Sequence, residues 1–151
     1  MVVAKIMNEL SIFLTIQAAM VAFAYSESVL EGPEGWARDK KVWRFKIGKN
    51  HDYTSYHVVT YYLLFPILLF VLPFVLVGFS WHLAWVLLAS YLIGTIIEDF
   101  MWFVFNPCRP FYKWNHVDTT WYPWAKVGRF HLPASYLLKG TMALLIFIYL
   151  V

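Results

Sequence analysis

The stretch "WHLAWVLLASYLIGTIIEDFMWFVF", Trp81 to Phe105, decides the fold. As a helix rising ~1.5 Å per residue it is long enough to cross a hydrocarbon core, which takes about 20 apolar residues. No alternation of period two runs through it, which argues against a strand of a membrane β-barrel. Two adjacent carboxylates, Glu98 and Asp99, interrupt its last third. An ionisable side chain in a span costs roughly 2.5–3.5 kcal/mol on insertion scales and marks a functional site by default. The chain must therefore supply polar partners for them.

Working outward, three more apolar runs appear: Leu10 to Leu30, His57 to Phe79 and Leu132 to Val151. The composition agrees, with 61% hydrophobic and 14% charged residues. A soluble domain holds about 45–50% apolar and about 25% charged residues. Aromatics reach 21%, including eight Trp, as expected of interfacial anchors. The predicted architecture is an all-α integral membrane protein, a single domain over residues 1–151 forming a four-helix transmembrane bundle. The first run also has features of a signal peptide, with Lys5 before it and Ala22–Phe23–Ala24 as a cleavage-like triplet. We read it as an uncleaved first span. The short turn "VGFSWH" makes spans two and three an antiparallel hairpin. Pro66 and Pro73 should bend span two, since each removes a backbone donor.

The two long loops are basic. Arg38, Lys40, Lys41, Arg44, Lys46 and Lys49 follow span one, and Arg109, Lys113, Lys126 and Arg129 follow span three. The positive-inside rule places both loops in the cytoplasm and both termini on the other side. With a formal net charge of +3, these residues read as topology signals and not as a nucleic-acid surface. Within the loops, "WRFKI" (Trp43 to Ile47) alternates and suggests a short strand. "NPCRPFYKWNHVDTTWYPW" suggests an irregular cap along the headgroups. The lone Cys108 excludes an internal disulfide and a Cys-only zinc site.

The polar residues gather at one level. Glu27 and Glu31, at i and i+4, share a face at the end of span one. His57 opens span two, Glu98, Asp99 and Asn106 end span three, and His131 opens span four. Glu98 and Asp99 point ~100° apart on a helix. Glu98 shares its face with Gly94, whose missing side chain permits close helix approach. Glu98 is therefore expected to face the bundle interior beside Glu27, Glu31 and His57. Asp99 is expected to be a structural partner for the loop that follows Asn106. Clustered carboxylates in low dielectric need a cation or a shared proton. Glu27, Glu31, His57 and Glu98 are thus candidate ligands of a divalent transition metal, Zn, Fe or Mn. Metal-free acid–base chemistry is the alternative, with Glu98, Glu31 and Glu27 as catalytic groups among Trp102, Phe103 and Trp85. Asp99, Asn106, His131 and His116 are assigned structural polar roles. A purely structural reading would pair the carboxylates with Arg38, Arg44, Arg109 or Arg129.

The "IEDFMWFVFNP" and "EGPEGWA" stretches resemble those of small polytopic membrane proteins. "IIEDFMWF" is similar to the acidic, aromatic helix of the small membrane-bound lycopene cyclases, with Ile96 or Ile97 where their motif has Pro. That resemblance implies an acid-catalysed isoprenoid cyclase. "CRPFY" lacks the upstream Lys and the Ser-Gly-His element of lipid phosphatases. No His-rich desaturase pattern, CxxC or EExxR motif is present. The predicted function is a cytoplasm-facing carboxylate and histidine pocket that binds or acts on a lipid-like molecule. The competing classes are a structural subunit of a larger membrane complex or oligomer, and a small transporter.

Overall fold

The computed structural model describes residues 2–32, 35–37, 40–47 and 51–151, and for 2–8, 47, 51 and 52 the backbone alone. Arg38 and Lys49 lie outside the described residues. Four helices carry the fold: α1 (Val2–Glu31), α2 (Ser55–Val77), α3 (Trp81–Phe105) and α4 (Ala134–Tyr149). Two antiparallel hairpins join them. Strands β1 (Arg44–Ile47) and β2 (His51–Thr54) pair between α1 and α2. Strands β3 (Trp124–Val127) and β4 (Phe130–Pro133) pair before α4.

The expected third span coincides with α3. Its start is set by Ser80, whose Oγ accepts a hydrogen bond from the Leu83 N–H at 3.1 Å. Its end is set by Asn106, whose Oδ1 accepts from the amides of Cys108 and Arg109. α1 begins earlier than Leu10, and the amine of Lys40 closes its far end by donating to the Leu30 carbonyl at 2.6 Å. The expected strand in "WRFKI" is β1, and its partner β2 has no alternating apolar pattern of its own. The last helix starts two residues later than expected, because Leu132 and Pro133 belong to β4. Gly128, at φ 59°, is the first central residue of the tight β3–β4 turn, where a positive φ is needed.

Where a bend is expected at the prolines of α2, the structure shows a change in hydrogen-bond pattern ahead of each. The helix widens into π turns at Thr60–Leu64 and Ile67–Val71. Phe65 N–H bonds to the Thr60 carbonyl and Leu72 N–H to that of Ile67, just ahead of Pro66 and Pro73. Widening the coil accommodates a residue that cannot donate and whose ring crowds the preceding turn.

α1 and α3 run parallel in constant register. Glu9 meets His82 at 2.6 Å, and the Gln17 amide donates to the Ser90 carbonyl at 3.0 Å, both 73 residues apart in sequence. Gly94 makes this approach possible, because a Cβ there would lie 2.8 Å from Met20 Cγ. Ile16, Met20, Phe65 and Leu87 form the core that α2 joins. α4 packs on the other side of α3, where Ala89 and Ala143 are fully buried beside Ile146.

α1 (from Glu9), α2 and α3 are long and apolar enough to cross a membrane. α4 is apolar but, at 16 residues, spans only ~24 Å. α2 leaves most of its apolar side chains uncovered: Val71, Val75, Leu76 and Val77 are all exposed. A row of this kind fits a lipid-facing surface.

Candidate functional site

Glu27 and Glu31 lie one turn apart on α1 and face the start of α2. One ligand atom each from Glu27, Glu31 and His57 lie within 4.8 Å of one another. His57 Nε2 is 2.9 Å from Glu31 Oε1, and these side chains are 7% and 11% exposed. The hydroxyls of Tyr56 and Tyr61 donate to Glu27 Oε1 at 2.7 and 3.0 Å. Behind the imidazole, Thr54 Oγ1 lies 2.8 Å from Nδ1. The Thr54 backbone N–H also donates to Nδ1 at 3.3 Å, so Nε2 carries the ring proton and donates to Glu31 Oε1. A metal held at Nε2 would require that proton to move to Nδ1, where Thr54 Oγ1 would accept it.

The loop after α1 folds over this triad. Trp36 stacks on the His57 ring at 5.2 Å. Trp36 and Ala37 take positive φ values of 58° and 49°. Left-handed non-glycine residues are costly and recur where a site demands them. Gly35, at φ 72°, lies close enough to Trp102 that a Cβ would sit 3.4 Å from its ring and 3.7 Å from Glu31 Oε2. The Arg44 guanidinium pins the loop by donating to the carbonyls of Ala37 and Lys40, both at 2.9 Å.

Glu98 is 3% exposed and adjoins Glu27 and Tyr61. Its Oε1, and the indole nitrogen of Trp102 one turn later, have no hydrogen-bond partner among the described residues. Asp99 points elsewhere and accepts the hydroxyls of Tyr122 and Tyr136, both at 2.6 Å. Burial, then the Asp99 charge, pushes the Tyr122 hydroxyl well above the ordinary phenol range, so it remains a donor. The amine of Lys139 acts on Asp99 electrostatically from α4. Between these groups lies a cavity of about 580 Å³. Glu27, Glu31, His57, Glu98 and Asp99 all line it, with Trp36, Trp102, Phe103 and Trp121 among its aromatic walls.

Of the four expected ligands, Glu27, Glu31 and His57 bring ligand atoms within 4.8 Å of one another, and Glu98 lines the same cavity without joining that group. Other expectations need correction. Asp99 does bond the loop that follows Asn106, but through the Tyr122 hydroxyl; the loop amides of Cys108 and Arg109 go to Asn106, which ends the helix where they emerge. His131 does not open a helix or line the cavity; it sits in β4 with its ring stacked on His116, centroids 4.0 Å apart. Trp85 packs against the Ala89–Ala143 cluster toward the other end of α3. Arg44 bonds carbonyls, while Arg109 lies over Trp121 and Arg129 over Phe130. Among the described residues, Glu27 and Asp99 accept from tyrosines and Glu31 meets a histidine. Sequence reading missed Thr54, Tyr56, Tyr61, Tyr122, Tyr136 and Lys139. Lys139, a charge within the last apolar run, was a legible signal. The tyrosines were not, because aromatic residues are abundant throughout the chain. No family model, curated protein or solved structure matches this chain.

Proposed function

We propose that this is a polytopic membrane protein whose helices α1–α4 cross the bilayer, with both hairpin loops in the cytoplasm and both termini opposite. Glu27, Glu31 and His57 hold a divalent transition metal, and Glu98 is the adjoining acid. The cavity beside them receives a lipid-like molecule. The observation that carries this reading is the convergence of two carboxylates and an imidazole from two helices at the end of an aromatic-walled cavity. Mixed imidazole and carboxylate donors suit Zn, Fe or Mn. Three protein ligands leave a coordination position open, the pattern of catalytic sites. A metal there would act as a Lewis acid or lower the pKa of a bound water. The chain's own groups orient and shield: Tyr56 and Tyr61 hold Glu27, Thr54 holds His57, and Trp36 covers the ring.

Elemental analysis of the purified protein tests this. Near-stoichiometric metal is expected, and its loss from folded Glu31→Gln and His57→Gln variants. Wild-type protein without metal after supplementation with Zn, Fe and Mn would overturn it. The aromatic walls around Glu98 favour a second, metal-free reading. Acid–base chemistry on an isoprenoid would use Glu98 as acid and the faces of Trp102 and Trp36 to stabilise a cation. That reading requires metal-depleted protein to keep its activity and Glu98→Gln to lose it.

A further inference from the structure

The cavity's walls come from helices that are not each other's main partners. Tyr61 and Tyr62 of α2 stand on one side, Ser135 and Lys139 of α4 on the other, and α3 forms the floor. α4 packs chiefly on α3, and α2 packs into the α1–α3 core. The loop end is roofed. Trp36 lies over His57, Trp121 stacks on Phe103 at 6.1 Å, and Tyr122 is tied to Asp99. The side is different: Tyr62 lines the cavity and is also 62% exposed. On the floor the cavity runs from Phe103 back to Leu92, ~16 Å along the helix and close to the middle of α3.

We propose that the ligand is an uncharged lipid that enters sideways from the bilayer, through the slot between α2 and α4. This rests on the membrane reading above. Its polar end is seated near Glu98 and its apolar chain runs along Leu92 toward Tyr62. The charge class follows from the lining. Four carboxyl groups, Glu27, Glu31, Glu98 and Asp99, face one amine, Lys139, which already acts on Asp99. Lys139 is thus engaged, and the described lining offers an anionic headgroup no other amine or guanidinium. A hydroxyl or carbonyl end would instead find a carboxyl oxygen and an indole N–H, both buried and unpartnered, one helical turn apart.

The full chain in phosphatidylcholine vesicles tests the proposal with two photoactivatable probes of equal chain length, a diazirine-bearing fatty alcohol and the matching fatty acid. Both probes are expected to label the lipid-facing residues of α2, Tyr62 included, whereas the alcohol alone is expected to crosslink at Leu92, and only the Leu92 label scores the cavity. A Leu92→Trp plug, with helix content checked by circular dichroism, should abolish the cavity label and leave labelling of the exposed Val75–Val77 stretch unchanged. Equal labelling by acid and alcohol at Leu92, or alcohol labelling at this position insensitive to the plug, would overturn the proposal. Metal content measured on the same samples separates the two readings. Leu92 labelling without metal overturns the metal centre alone, and metal without Leu92 labelling overturns the side entrance alone.

Discussion

At the scale of single residues, the site is organised by groups that touch the carboxylates and the imidazole. Thr54 is fully buried and its hydroxyl meets His57 Nδ1. Loss of such a supporting hydrogen bond costs roughly 10–100-fold in metal affinity. Thr54→Val should produce a loss of that order in a competition titration with a chelator, with helix content unchanged. Tyr122 gives a pH prediction. Its pKa in the folded protein is raised, so the stability it contributes is fully present below the ordinary phenol value of about 10 and is lost as pH rises toward the folded value. Wild-type protein should therefore lose stability above about pH 10. Tyr122→Phe should flatten part of that loss. At neutral pH it should cost ~1–3 kcal/mol, because Asp99 then lacks one of its two donors. Denaturation midpoints measured against pH check both parts.

At the scale of elements, the parallel packing of α1 on α3 brings Glu27 to Glu98. Gly94 controls that approach and Gly140 does not. A Cβ at Gly94 would strike Met20 Cγ at 2.8 Å, whereas one at Gly140 meets Ile96 Cδ1 at an ordinary 3.9 Å. Gly94→Val should destabilise the protein by about 1–3 kcal/mol through overpacking and should loosen the carboxylate cluster. Gly140→Ala should be tolerated, or slightly stabilising through the lower chain entropy of Ala in the unfolded state. Thermal midpoints of the two variants, measured side by side in one detergent, distinguish them. Similar losses at both positions would sink the argument.

At the scale of the whole molecule, the positions of the two hairpins set the expected topology. Parallel α1 and α3 put the β1–β2 and β3–β4 hairpins at the same end of the bundle, whatever course the shorter α4 takes. In a Cys108→Ser background, cysteines at the exposed positions Lys46 and Lys126 should therefore share one accessibility. Under the cytoplasmic assignment, neither should react with an impermeant maleimide applied to intact cells, and both should react after lysis. Reaction at one site alone contradicts the parallel packing, and reaction at both in intact cells reverses the orientation.

The sequence by itself determined the helices, because their signals are local. Run length and apolarity define α3, and Pro66 and Pro73 mark where α2 must adjust. It also determined that Glu98 lies on the packed face, since the angular offset from Asp99 and the shared face with Gly94 are properties of one helix. The hydrophobic pattern could not say which side chains would satisfy the carboxylates. Tyr56, Tyr61, Tyr122 and Tyr136 reach Glu27 and Asp99 from 23 to 37 residues away, across other elements. β2 became a strand through its pairing with β1 and not through its own periodicity. His131, read as the start of a helix, was drawn into β4 by its register opposite Lys126. The cavity, too, belongs to the tertiary structure alone. It exists because α2 and α4 pack mainly on other helices, and that choice of partners is not written in any one segment.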